Sequence, residues 1–210
     1  MLLTEFDANR QAIINPEALH EPLEGFPKIA VSCFSRLTFQ RMLEMFPHEL
    51  IYEISMANVA IPIYKLVIDD NELAIFNAPV GASACVGILE DIFVLGADKL
   101  VLFGTCGVLD EDIKETSIII PSHALRDEGT SFHYVEASDE IAVNVGVLDH
   151  FRSYLNERQI SHKEGKVWTT DGIYRETNGK LKARKAAGAI CVDMELSLIH
   201  ISEPTRQEAI

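Results

Sequence analysis

The sequence predicts an α/β domain with a mixed central β-sheet flanked by helices. Three observations carry that prediction. Short apolar runs alternate with helix-length amphipathic segments, two β-branched runs are joined by an acid-rich turn, and no repeat, low-complexity tract or linker divides the chain. With 48% of its 210 residues hydrophobic, the chain has enough apolar material for the core of one domain.

Residues 1–27, rich in Asn, Pro and Glu, read as an arm leading to the first apolar run at 28–34, a buried strand. Leu37, Phe39, Met42, Leu43 and Phe46 then recur at three- and four-residue steps before Pro47, which predicts an amphipathic helix. Runs at 61–68 and 72–76 flank Asp69-Asp70-Asn71 and predict a hairpin. Small and apolar residues over 82–95, with Gly96 where a helix C-terminus favours it, predict a tightly packed helix. Strands are expected at 99–103 and 117–121, and a helix over 138–154. Further short strands at 166–169 and 189–192 flank a basic helix around 179–187.

Composition excludes some partners. Eighteen bases against 32 acids leave a formal net charge of −14, which repels nucleic acid and anionic membrane surfaces at long range. Any anionic substrate must therefore meet a local basic or backbone site. The longest apolar runs fall far short of the roughly 20 residues that span a bilayer, and the N-terminus places acids where a secretory signal places bases. Cys33, Cys85, Cys106 and Cys191 have neither metal-like spacing nor a CxxC pair, so the reading is reduced thiols in a cytoplasmic protein with no metal site.

In an open α/β sheet, ligands bind beyond the carboxyl ends of strands, which directs attention to the residues after each apolar run. Gly104-Thr105-Cys106-Gly107 has two glycines for close backbone approach, and its amides with the Thr105 hydroxyl suit a phosphate or a sugar. Gly81 opens a small-residue helix whose first amides favour anions. The segment 126–134 concentrates Arg126, two acids, two hydroxyls, His133 and two aromatics. Val192-Asp193-Met194-Glu195 ends the last apolar run with two carboxylates and a thioether; a carboxylate suits a vicinal diol and methionine packs on a sugar face. Taken singly, each has an ordinary structural reading as turn, helix start, loop or dipole partner.

The ordered set Phe-Gly-Thr-Cys-Gly, Arg-x-x-Gly-x-Ser-x-His-Tyr, Thr-Thr-Asp-Gly-Ile-Tyr-Arg and Val-Asp-Met-Glu resembles the nucleoside phosphorylases, the family of uridine phosphorylases, hexameric purine nucleoside phosphorylases and related nucleosidases. The resemblance runs from about Lys28 to Ser197 and implies a domain over 28–197, normally built into trimers or hexamers. It also implies phosphorolysis of a nucleoside to ribose 1-phosphate and free base, with inorganic phosphate as co-substrate and no metal or organic cofactor. By similarity Arg36, Gly81 and Thr105 contact phosphate, Met194 and Glu195 hold the ribose, and Gly107, His133 and Asp171 border the base.

The departures from the family are specific. Leu102 stands where many members carry a phosphate arginine, and Ser32 stands where a glycine is expected; Arg126 is the candidate to supply the missing charge. Where uridine phosphorylases place Gln and Arg against uracil, this chain has Thr177 and Asn178-Gly179, so the base stays open. Phosphorolysis and hydrolysis by a nucleosidase both remain readings, as does a non-catalytic nucleoside-binding fragment. Residues 198–210 do not resemble the family. The expectation is a non-native tail, a catalytic leaving-group residue missing beyond it, and a chain that is poorly soluble or inactive.

Overall fold

The computed structural model describes residues 2–114 and 117–198, which form two compact α/β units: residues 9–105, and residues 2–8 with 106–198. The mixed α/β architecture is the one the sequence predicts, with the strands distributed over two five-stranded sheets.

The first unit contains β1 (Ile29–Cys33), α1 (Arg36–Met45), β2 (His48–Ser55), β3 (Ala60–Ile68), β4 (Asn71–Asn77), α2 (Ala82–Leu95) and β5 (Lys99–Phe103). Its sheet order is β2-β3-β4-β1-β5, antiparallel across β2, β3 and β4 and parallel across β4, β1 and β5. The hairpin between β3 and β4 turns at Asp69 and Asp70, both at positive φ (48° and 64°), the conformation of the tight turn whose twist matches the flanking strands. Asp tolerates it better than most residues because its short polar side chain bonds locally. Each helix covers one face of the sheet. Ile88, Leu89, Ile92 and Leu95 of α2 pack on Ala30, Ala74 and Phe76, while Phe39, Met42 and Leu43 of α1 pack on Cys33, Leu66 and Ile75. Burial of each such aliphatic side chain contributes about 1.5–3 kcal/mol, so the two apolar helix faces hold the sheet between them.

The second unit contains β6 (Gly107–Val108), β7 (Ile118–Asp127), β8 (Glu140–Ala142), α3 (Val145–Glu157), β9 (His162–Thr170), α4 (Asn178–Ala186) and β10 (Ala189–Asp193). Its sheet order is β6-β10-β9-β7-β8, with β10, β9 and β7 parallel and the two outer strands antiparallel. Trp168 is fully buried against Leu125, Ala189 and Val192.

Two sequence expectations are corrected in this unit. The strand expected to end at Pro121 continues to Asp127, because the sheet absorbs the missing proline N–H with a register shift between Pro121 and His123. Arg126 therefore lies on β7, not in the loop after it. The helix expected from 138 begins only at Val145, where the Asn144 side chain accepts the amides of Gly146 and Val147, while 140–142 pair with β7 instead. Strands β2, β6 and β8 were not singled out in the sequence. The tail expected at 198–210 lies outside the described residues except for Leu198, which is buried.

The Asp127 carboxylate fastens α4 to this sheet. It accepts the Trp168 indole N–H at 2.9 Å and the Lys180 ammonium at 3.0 Å, with Arg184 at 3.3 Å. Burial alone would raise its pKa, but the Lys180 and Trp168 hydrogen bonds and the Arg184 charge hold it below the usual carboxylate range. Replacing it strands a buried indole donor and two cations. Asp127→Ala is expected to cost about 3 kcal/mol and Asp127→Asn less, since the amide oxygen still accepts from the indole. The carboxylate's stabilisation is present above the ordinary Asp pKa and disappears as pH falls through its lowered folded value. Urea midpoints at neutral pH check this; an unchanged midpoint for Asp127→Ala would remove the clamp.

Candidate functional site

In the first unit the register sets three strand ends side by side, with Cys33 opposite both Asn77 and Phe103. The segments leaving β1, β4 and β5 therefore emerge at one sheet edge. They carry Arg36, Gly81 and Thr105, the three residues that the resemblance assigns to phosphate. Arg36 is the first residue of α1 and is exposed, behind a Ser35 side chain that accepts the Thr38 amide at 3.2 Å. Gly81 caps α2 at φ +104°, a conformation that strains any other residue. A side chain at Gly104 would meet Phe34 at 2.9 Å, so glycine is what lets the β5 exit run against the β1 exit.

Ser32, where a glycine was expected, has a structural task at this edge. Its hydroxyl donates to the Phe76 carbonyl at 2.8 Å and accepts the Ala78 amide at 3.0 Å, tying the end of β1 to the end of β4. Leu102 packs against the core of β5 and brings no charge to the edge.

In the second unit, β7, β9 and β10 are parallel, with Asp127 opposite Thr170 and Thr169 opposite Asp193. Their exits gather Asp171, Met194 and Glu195 at one edge, and the antiparallel pairing of Gly107 with Val192 brings β6 to the same place. A Cβ at Gly107 would sit 2.9 Å from Val192, so the close approach needs glycine. Glu195 is buried, Met194 half-buried and Asp171 exposed, its carboxylate accepting the Gly129 amide at 3.1 Å. His133 is exposed at the end of the short turn Thr130–His133.

Arg126 is buried and directed into its own loop. It donates to Ser131 Oγ, to Ser138 Oγ and to the Glu136 carbonyl, each at 2.8 Å, and its guanidinium carbon lies 4.1 Å from the centre of the Phe132 ring. The buried Glu128 carboxylate accepts both the amide and the hydroxyl of Ser131. Arg126, Glu128 and Ser131, part of what looked like a binding mixture in the sequence, thus hydrogen-bond one another.

Asp193, read in the sequence as one of two carboxylates after the last apolar run, organises the turn that carries Glu195. Its carboxylate accepts the Thr169 hydroxyl at 2.8 Å, the Leu196 amide at 2.8 Å and the Glu195 amide at 3.4 Å, while Thr169 Oγ1 accepts the Ser197 amide at 3.1 Å. The signal was present as an Asx residue two to three positions before an abrupt change of backbone direction. An open pocket of about 530 Å³ lined by residues 17–23 and Tyr52 holds none of the residues singled out in the sequence.

Desolvation pushes the Asp193 pKa up to about 7; the Thr169 and Leu196 hydrogen bonds oppose the shift and the Glu195 charge adds to it. With a folded pKa above the unfolded one, the stabilising contribution is full below the ordinary Asp pKa and is lost as pH rises through about 7. Relative to Asp193→Asn, which cannot ionise, the wild-type chain is expected to lose up to about 4 kcal/mol between pH 4 and pH 8. Paired denaturant titrations across that range measure it, and a pH-independent difference would contradict the assignment.

The sequence profile described as the phosphorylase superfamily matches residues 28–201. Among curated relatives, a DeoD-type purine nucleoside phosphorylase of Brevibacillus brevis is 28% identical over 106 residues, covering 50% of this chain and 45% of the relative. A guanosine phosphorylase of Halorubrum lacusprofundi is 21% identical over 139 residues, 65% and 58% of the two chains. The matched segment thus spans about half the length of these curated relatives. Among solved structures, a uridine phosphorylase from Vibrio fischeri superposes with a TM-score of 0.77 at 19% identity, covering 91% of this chain and 80% of that one. A purine nucleoside phosphorylase from Toxoplasma gondii, in complex with immucillin-H, gives 0.68 at 17% identity, covering 82% and 69%. The strand edges, the ordered motifs and the matched profile lead to one statement of kinship: the chain belongs to the phosphorylase superfamily.

Proposed function

We propose that this protein cleaves the N-glycosidic bond of a nucleoside with inorganic phosphate, releasing ribose 1-phosphate and the free base. The observation that carries the reading is Glu195, a buried carboxylate at the exit of β10 on a turn that Asp193 and Thr169 fix. A carboxylate with two acceptor oxygens matches the 2′- and 3′-hydroxyls of ribose, and Met194 supplies an apolar surface for the sugar. Gly107, Asp171 and His133 are assigned to the base. Arg36, the amides that follow Gly81, and Thr105 are assigned to phosphate. In phosphorolysis bond cleavage builds positive charge on the ribose, which the attacking phosphate stabilises, and fixing both reactants removes an entropic barrier. The protein is expected to work in the cytoplasm and to assemble as a trimer or hexamer.

A hydrolytic reading is favoured by one observation. Leu102 packs into the apolar core where many relatives supply a phosphate arginine, so the anion edge has fewer cations than those relatives. Inosine, guanosine and uridine are to be assayed with and without phosphate. Turnover that requires phosphate and yields ribose 1-phosphate supports the proposal, equal turnover without phosphate converts it to a nucleosidase, and cleavage of none overturns both. Glu195→Gln is expected to lower kcat/KM for the nucleoside by about 100-fold, from the weakening of charge-assisted hydrogen bonds to the diol. For Arg126→Ala the expected result is an unchanged phosphate KM with reduced thermal stability, because its donors are spent on residues 131–138; a several-fold rise in phosphate KM would place it in the anion site.

A further inference from the structure

We propose that Cys106 is a site of reversible oxidation by hydroperoxides and that Cys191 resolves it by closing a Cys106–Cys191 disulfide. All four cysteines are free thiols, and three of them, Cys33, Cys85 and Cys191, are at least 98% buried. Cys106 alone is partly accessible. It immediately precedes β6, whose antiparallel register pairs Gly107 with Val192 and Val108 with Cys191. One step back along that register, Cys106 stands diagonal to Cys191 on the same face.

The interaction of the two thiols divides the labour between the sulfurs. It lowers the Cys106 pKa against the opposing effects of burial and of the Asp193 charge. Cys191 is pushed up by the same interaction, by burial and by the Cys106 and Asp193 charges. The thiolate is the nucleophile in thiol oxidation, so the accessible member of the pair is also the reactive one. Cys33, by contrast, is buried with its pKa raised by desolvation.

The chemistry balances with hydrogen peroxide as oxidant. The Cys106 thiolate attacks one peroxide oxygen; an S–O bond forms, the O–O bond breaks, and the departing hydroxide takes up a proton and leaves as water. The Cys191 sulfur then attacks the sulfenic sulfur; the S–S bond forms, the S–O bond breaks, and the leaving hydroxide carries away the Cys191 proton as a second water. Two thiols lose two electrons and one peroxide gains them.

Geometry gives the step a consequence. Diagonal neighbours in a regular antiparallel pair have Cα atoms about 7–8 Å apart, whereas disulfides span roughly 4.4–6.8 Å, so closure must draw one backbone toward the other. Cys191 is fixed inside β10, between two neighbouring strands. Residues 104–106 belong to no strand or helix, so the movement falls on them. Loss of phosphorolysis on oxidation would follow only under the function proposed above, whereas the disulfide itself does not rest on that reading.

The test therefore reads covalent state first. The purified full chain is treated with low-millimolar hydrogen peroxide, denatured, alkylated with N-ethylmaleimide and examined by intact mass and peptide mapping. The expected result is loss of two of the four alkylation adducts, a crosslinked peptide containing Cys106 and Cys191, and full recovery after dithiothreitol. In Cys191→Ser, dimedone is expected to label Cys106 in preference to Cys33 and Cys85, and Cys106→Ser should form no disulfide. Retention of all four adducts, a crosslink through Cys33 or Cys85, or a purely intermolecular bridge would overturn the proposal. Nucleoside turnover measured on the same samples reports separately on the catalytic reading.

Discussion

The end of β10 is where a strand must become a helix, and the first amides of any helix lack partners within it. Asp193 supplies those partners, taking the amides of Glu195 and Leu196 on one carboxylate oxygen and the Thr169 hydroxyl on the other. The cost is desolvation of a carboxylate, visible in its raised pKa. The return is a turn in which Glu195 has little choice of position, because β9 and β10 are held in register through the same cluster. Much of the second unit's edge depends on this arrangement: Ser197 reaches back to Thr169, and the segment after β9 bonds through Asp171 to the loop after β7. Disturbing Asp193 disturbs the carboxylate two residues on before it disturbs the core.

The first unit solves the same problem with a hydroxyl. Ser32 accepts an amide from the segment after β4 while donating to that strand's last turn of ladder, so the exits of β1 and β4 cannot separate. Phe34 and Gly104 close the other side, the aromatic ring occupying the space that a glycine leaves empty. Serine in place of the family's glycine is thus a change in how the edge is fastened. It brings a hydroxyl that is already committed to the backbone.

How much of this was legible in the sequence depends on the range of the interaction. Elements marked by local chemistry were readable: the apolar run of β1, the amphipathic stripe of α1, the Asp69-Asp70 turn, and the small-residue helix ended by Gly96. Strand β8 was hidden inside a segment whose composition suits a helix, because only its pairing with β7 decides it. Arg126 was misplaced for a related reason. Pro121 looks like a terminus until a neighbouring strand is seen to accommodate it with a register shift. For the site, ordered motifs located the strand exits, but the internal use of Arg126, Glu128 and Ser131 is a matter of side-chain direction that spacing does not encode. Asp193 was noticed as one of two carboxylates after the last apolar run and Thr169 as part of an ordered motif, but their hydrogen bond, joining positions 24 residues apart, is not written in either.

Charge placement connects these edges to the chemistry of an anion and a diol. A chain with a formal charge of −14 must protect any phosphate site from its own carboxylates. At the first unit's edge, the exits at 33–36, 77–82 and 103–105 contain no Asp or Glu and one Arg, so the local field there opposes the field of the whole chain. At the second unit's edge Asp127, Glu128, Asp171, Asp193 and Glu195 lie at or just beyond strand ends, with Asp127 paired to Lys180 and Arg184 and Glu128 beside Arg126. An anion brought to that second edge would meet carboxylate repulsion that the first edge does not impose. A neutral diol meets no such penalty and gains acceptors. Carboxylates are thus segregated between the two sheets, a distribution that agrees with the assignment, proposed above, of phosphate to the first and sugar to the second.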